Sequence, residues 1–455
     1  MDKIAFFSPL NPIRSGISDY SEDLLPYLKD YFDIDVYVSN GFEIENAHIR
    51  TNFTIRTYNE FARLFNQKEY KAIIYHMGNN YYAHKEIYDF MMQYPGIVVL
   101  HDFSLHHFYA AKTLENGDMK SYENEMFYSH GKEGLREVEK FVKGEIPPIW
   151  ETNSLNFPLN LRVLDRAAGV IVHSQFAQSH LQEIASYVPI CVAPIPAPFI
   201  EDPDNMENAK FNAREKLNID QGCLILSTLG FVNHTKRVDK ILEALYELKR
   251  ERVLKDFKFY IVGQLAADYP LEEKIKKLSL TEDVIVTGFV DLQDFDRYIS
   301  ASDICFNLRY PTQGENSASL LRIMGHGKPV ITTDIGSFSE FPEEIVFKVS
   351  YGEKEKEEIK LQLSHLLHYK FKELGESIIQ YTLNRHSIYH CIQKYKEFSN
   401  SIISGNQCNT FLTLDKLIQS FALSSSTLFN ESNNNSINRF VNSLNDIFKD
   451  NTPQN

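Results

Sequence analysis

Several polar side chains stand where an apolar run gives way to a loop or helix, and their types suit the handling of anions or protons. In GIVVLHDFSLHHFY (Gly96–Tyr109) the apolar run ends on His101 and Asp102, with His106 and His107 four or five residues past Asp102. Imidazole is suited to hydrogen bonding and proton transfer near neutral pH. A helical turn after Asp102 would draw the histidines together, which opens a metal site, but no Cys or second carboxylate completes a ligand set. A structural histidine closing a strand is the plainer alternative. Lys236 and Arg237 stand at the start of a helix over Val238–Leu248. Cations there oppose the helix dipole, a local cost that an anion between them would offset. Salt bridges to surface acids would do the same.

The stretch RYPTQGENSASLLRIMGHGKPV (Arg309–Val330) carries the densest pattern. Pro311, Thr312, Gln313 and Gly314 are turn residues. Ser317 or Ser319 can cap a helix whose apolar face is Leu320, Leu321 and Met324. Gly325 and Gly327 end it and Pro329 prevents its continuation. Glu315, Asn316 and Ser317 therefore lie beside free backbone N–H groups and a positive dipole end, with Arg322 about one turn further on. A phosphate group fits such a place, and an ordinary capped loop has the same pattern.

These groups need elements to hold them. Lys3–Ser8 is a strand, followed by a loop with Pro9, Pro12 and Gly16 and a helix that Ser18 or Asp19 can cap. Ser15 and Gly16 lie in that loop. The strand, loop and helix open a Rossmann-like half without the GxGxxG fingerprint of dinucleotide binding. Strands over 34–39, 71–78 and 96–100 alternate with helices. Residues 113–160 are polar and helical, then rich in Pro and Asn. Within them GLREVEKFVKG (Gly134–Gly144) is amphipathic and either touches lipid or packs on its own domain. A strand and helix over Ala167–Leu181 precede a proline-dense linker, Val188–Phe199. A second βα series follows, with strands at 224–229, 257–264, 284–290, 302–308 and 330–334. Helices are expected over Glu353–Phe371 and Tyr381–Phe398. From Ser399 the chain turns to Asn and Ser, with TLDKLIQSF and SINRFVNSLNDIF as short helices and the rest disordered.

The chain has 455 residues, which is long for one core, and two domains are the natural division. A net charge of −14 argues against a nucleic-acid partner and against a broad electrostatic hold on anionic membranes. Five cysteines without paired spacing suggest reduced thiols and a cytoplasmic setting. No signal peptide or spanning segment is expected, so membrane contact is peripheral at most.

The run from strand to LLRIMGHGKPVI and TDIGSFSEF resembles the donor-binding segment of glycosyltransferase family 4, a retaining family with the GT-B fold. Gly327-Lys328-Pro329-Val330-Ile331 and Gly336 fit its pattern. Its two acidic positions fall on Gly314, with Glu315 one place on, and on Arg322. In the first loop Ser15-Gly16 matches the pair that lies against the donor diphosphate. Lys236 matches the family lysine, while Phe231 stands at the arginine position and Arg237 at a glycine. Thr287-Gly288-Phe289 resembles the loop lining the nucleotide base. The resemblance puts His101, with Asp102, next to the reacting sugar carbon. It implies two Rossmann-like domains facing across a cleft: an acceptor domain over 1–198 with a helical insertion at 113–160, a donor domain over 199–380, a crossover helix at 381–398 and a tail at 399–455. It also implies sugar transfer from a nucleotide sugar to a saccharide or lipid-linked glycan in polysaccharide synthesis, with retention. Arg237 or Arg322 would supply the missing charge, and Glu315, Asn316 and Ser317 donor contacts. No Asp-x-Asp occurs in a fitting loop, so neither a metal nor another cofactor is expected. The altered acids leave one rival from another class, a binding protein that kept the fold and lost catalysis; a phosphorylase-like or epimerase-like protein of the GT-B fold is a second, against which stands the lack of a pyridoxal-phosphate lysine context.

Overall fold

The computed structural model describes residues 1–13, 15–67, 69–199 and 205–405. The tail helices expected after 405 lie outside the described residues. Among the described residues thirteen strands run in chain order: β1 Asp2–Phe7, β2 Phe32–Val38, β3 Thr54–Thr57, β4 Ala72–Met77, β5 Gly96–Leu100, β6 Ala167–Val172, β7 Ile190–Val192, β8 Leu224–Leu229, β9 Phe257–Val262, β10 Val284–Gly288, β11 Ile304–Asn307, β12 Val330–Thr333 and β13 Phe347–Val349. They form two sheets, ordered β3-β2-β1-β4-β5-β6-β7 and β10-β9-β8-β11-β12-β13, and every pairing is parallel.

The parallel arrangement follows from composition. Every residue of β5 (GIVVL) and β11 (ICFN) is buried, as in sheets covered on both faces. Alternate residues of the first sheet serve opposite faces. Phe7, Tyr75 and Val98 enter one core, while Phe6, Ile74 and Val99 enter the other. The second sheet builds its own core around Leu226, Phe259, Phe306 and Ile331.

Strand order reverses between β1 and β4 in the first sheet and between β8 and β11 in the second. Ligands of open parallel sheets bind beyond the carboxyl ends of strands at such switch points. The loops that follow β1, β4, β5, β8 and β11 are therefore the ones that build a site.

Some elements differ from the sequence reading. The first helix is Gly16–Leu28, capped by Ser15, whose Oγ accepts from the Ile17 N–H at 3.1 Å. The amphipathic piece at 134–144 lies on the second of two helices that meet at a kink, Gly131, within Met119–Val142. Val138 of that helix is buried and Phe141 packs against the first domain's core. The proline-dense linker begins with an edge strand, β7. The helix that returns to the first domain is Ile388–Ile403, separated by Ser387 from the preceding helix Phe371–His386. Its Cys391, Ile392, Tyr395 and Phe398 sit in the same core as Phe6 and Ile74.

Candidate active site

The end of β5 delivers His101 and Asp102 between β4 and β6, and each of those neighbours contributes a histidine. His173 Nδ1 donates to the Ala193 carbonyl at 2.8 Å. Burial holds His173 neutral, with its pKa pushed down to about 4, so Nε2 accepts. His101 Nδ1 lies 3.1 Å from that Nε2 and must donate to it. His101 Nε2 is then the acceptor for His76 Nδ1 at 2.9 Å. The chain ends on His76 Nε2, a bare lone pair with no partner among the described residues. Burial, then His173 and His76, hold the His101 pKa well below its usual value. His101 is thus a fixed neutral ring. Tyr20 and that ring meet edge to face at 5.0 Å between centroids.

Asp102 Oδ2 accepts from the Asn79 N–H at 2.7 Å. Desolvation raises its pKa to about 7, opposed by that hydrogen bond. His106 leaves the group: it is buried, with Nδ1 on the Phe157 carbonyl at 2.6 Å and Nε2 on the Tyr122 hydroxyl at 2.7 Å. His107 instead faces Glu151 at 3.1 Å. Among the described residues, no three His, Cys, Asp or Glu side chains are grouped as a metal would need.

Across from His101, Asn307 at the end of β11 organises the second domain's side. Its Oδ1 accepts from Lys236 Nζ at 3.3 Å and from Ser319 Oγ at 3.2 Å, and its Nδ2 donates to Ser317 Oγ at 3.2 Å. Ser317 caps the helix Ala318–Gly325, its Oγ accepting from the Leu320 N–H at 3.2 Å. Lys236 is buried, and its Nζ also donates to the Leu229 carbonyl at 3.1 Å. Its third N–H has no partner among the described residues. Desolvation, then the neighbouring Arg309, push its pKa down to about 7.

No motif of the sequence marks Arg309, two residues past β11. Its Nη1 donates to Thr235 Oγ1 at 2.8 Å and its Nε lies 3.2 Å from Glu315 Oε1. Its charge acts on both Lys236 and Asp102. The signal for it was position alone: a cation just beyond the carboxyl end of a central parallel strand. Glu315 Oε2 accepts from Thr312 Oγ1 at 2.6 Å and the Gln313 N–H at 2.7 Å. Arg309, not Arg322, orders Glu315.

A cleft of about 1000 Å³ separates the domains. Ser15, Gly16, His101 and Asp102 line it from one side, and Phe289, Glu315, Asn316 and Arg322 from the other. Phe289 is 76% exposed there, an open aromatic face. Gly288, just before it, has φ +71°, so the turn that presents Phe289 favours glycine. Arg322 is held by Asp296 through contacts of 2.8 and 3.0 Å. Arg237 is committed elsewhere: its guanidinium grips the fully buried Glu355, with Nη2 2.5 Å from Oε2. Lys236, Arg237, Gly288, Arg309 and Ser317 do not themselves line the cleft. His84 does; its Nδ1 donates to the Asn80 carbonyl at 2.8 Å, and its Nε2 has no partner among the described residues.

The loop before Glu315 docks on the first domain. The Ser104 N–H donates to the Gln313 carbonyl at 2.9 Å, and Asn79 Nδ2 to Gln313 Oε1 at 3.4 Å. Gly314 has φ +72°, and a Cβ there would lie 2.6 Å from Phe103 Cβ. A side chain has no room at this position, so the carboxylate stands one residue later, on Glu315.

Residues 209–385 match the family model of glycosyl transferases group 1. No curated protein sequence matches the chain. Among solved structures, sucrose-phosphate synthase from Thermosynechococcus elongatus aligns with 14% identity over 89% of this chain and 100% of its own, at TM-score 0.60. A glycosyltransferase from Rickettsia africae gives 16% identity, 88% and 99% coverage and TM-score 0.60. HepE of Anabaena, solved with UDP and glucose, gives 15%, 88%, 100% and 0.58. At these identities the likeness speaks for the fold. The chain has the GT-B fold, and its second domain, over residues 209–385, carries the glycosyl transferases group 1 match.

Proposed function

We propose that this protein is a retaining glycosyltransferase that moves a hexose from a nucleotide sugar to a saccharide or lipid-linked glycan in polysaccharide synthesis, without a metal. The observation that supports it best is the confrontation across one cleft: Glu315 and the start of the capped helix at Ala318 and Ser319 on one side, with Arg309 packed on Glu315 and Lys236 behind Ser319 through Asn307, and neutral His101 and Asp102 on the other. The diphosphate lies against the Ala318 helix start, where backbone N–H groups, Arg309 and protonated Lys236 stabilise the leaving charge. Phe289 offers a face to the nucleotide base, and Glu315 accepts from hydroxyls of the sugar. By the family resemblance Arg322 stands where an acid would accept from the ribose hydroxyls, and a guanidinium only donates. Ribose is then loosely recognised, so dTDP-sugars join GDP- and UDP-sugars as donors. The complexes of HepE with UDP and glucose support a uridine donor among these.

In the transfer, the acceptor oxygen bonds to the sugar's C1 as the bond from C1 to the diphosphate oxygen breaks. The acceptor proton leaves on that diphosphate oxygen, and the nucleophile arrives on the leaving group's own face. The test is turnover of a nucleotide-sugar panel in EDTA, with the product's anomeric coupling read by NMR. An inverted product, or activity lost in EDTA and restored by Mg²⁺ or Mn²⁺, overturns the corresponding part. Donor binding with no transfer to any acceptor would favour the binding-protein reading.

A further inference from the structure

A second cavity, of about 530 Å³, opens beside the cleft in the wall of the first domain and shares Asn79, Asn80 and Asp102 with it. Tyr82, 66% exposed, forms one side, and its hydroxyl donates to the Glu115 carboxylate. Trp150, the only tryptophan of the chain, forms another. Its ring packs edge-on against Tyr122 and Phe141, at 6.1 and 5.3 Å between centroids, which fixes its place. Its carbonyl accepts from Gln313 Nε2 at 3.3 Å, so the cavity is tied to the loop that carries Glu315. His107 completes the wall, with Nδ1 3.4 Å from Asn79 Nδ2.

The chemistry of this wall is selective. Aromatic rings with polar tips suit the C–H face of a pyranose, and amides and carboxylates suit its hydroxyls. No Lys or Arg is among the lining residues, while Asp102 and Glu115 both are. A phosphate would meet no lysine or arginine there, and the Glu115 carboxyl beside Asp102. The cations of the molecule's site stand on the other domain, at Lys236, Arg309 and Arg322.

Resting on the function proposed above, we propose that this cavity is the acceptor subsite and takes an uncharged pyranose, rejecting acceptors with a phosphate on the reacting sugar. The hydroxyl that attacks C1 lies at the shared edge, by Asp102, and the ring lies against Tyr82 and Trp150. The helical insertion thereby selects the acceptor.

Trp150 is a built-in reporter. Its emission is followed as methyl glycosides of glucose, galactose, mannose and N-acetylglucosamine, and the corresponding 6-phosphates, are titrated into the full chain. At least one neutral glycoside should saturate the change, at least about tenfold more tightly than its phosphate. Tyr82→Ala should weaken that binding about tenfold or more while Tyr82→Phe keeps most of it. Glu115→Lys should narrow the gap between neutral and phosphorylated sugar. No saturation with any glycoside, phosphate binding as tight as neutral, or undiminished affinity in Tyr82→Ala overturns the proposal. Calorimetry with UDP, GDP and dTDP on the same variants separates the two readings. If no diphosphate binds while Trp150 responds to neutral sugars, the donor reading fails and the saccharide subsite stands.

Discussion

Arg309 and Lys236 should dominate the hold on a diphosphate. Arg309→Ala should weaken nucleoside diphosphate binding by about 1.5–3 kcal/mol, the range of a charged hydrogen bond. Arg322→Ala should cost less, because Asp296 already shares that guanidinium. Calorimetry with nucleoside and nucleoside diphosphate checks both, and the nucleoside should hardly notice either change. Lys236 gives the pH dependence. In the free protein its pKa is lowered to about 7, so near pH 7 about half the molecules carry the charge. A bound diphosphate favours the protonated form and raises that pKa. Affinity should therefore fall as pH rises through 7, with proton uptake on binding near pH 7. Buffers of different ionisation enthalpy measure that uptake, and Lys236→Met should abolish it. An unchanged uptake in that variant would assign the proton to another group. His101→Ala should leave diphosphate affinity nearly intact and lower turnover by on the order of 10². His101 and Asp102 were legible as a pair that closes a strand. His76 and His173, 25 and 72 residues away, were not, because only the order β4-β5-β6 brings them to the same ring. Arg309 lies in the same stretch as Arg322, but only Arg322 replaces a family acid, so the resemblance does not mark Arg309.

At the level of elements, apolar strands alternating with helices were visible because parallel strands are buried on both faces and need little else. The boundaries were harder. Ser15-Gly16-Ile17-Ser18-Asp19 offers several caps in a row, and local propensity does not choose among them. The break between Phe371–His386 and Ile388–Ile403 is one extended residue, Ser387, with no Gly or Pro to mark it. The loop 312–315 shows how an element fixes a residue's identity. Its contacts to Ser104 and Phe103 force Gly314 into positive φ with no space for a side chain. Gly314→Ala should destabilise the protein by about 1–2 kcal/mol from the backbone alone, and by more from the contact with Phe103. Chemical denaturation measures it, and an unchanged midpoint would mean the loop does not dock this way in solution.

On the scale of the whole molecule, two sheets place their switch points opposite one another, and one cleft joins them. Glu340 of the second domain ties the halves further, accepting from the Gln175 and Phe176 N–H groups at 3.0 and 2.5 Å at the start of a first-domain helix. Among the described residues no helix is long and apolar enough to cross a membrane. The central claim is that this cleft holds an activated sugar by its diphosphate. Titrating UDP, GDP and dTDP into wild type and Arg309→Ala by calorimetry tests it most directly. The account predicts one-to-one binding of at least one diphosphate, weakened about tenfold or more in Arg309→Ala. No binding by any of the three, or equal affinity in both proteins, would contradict it.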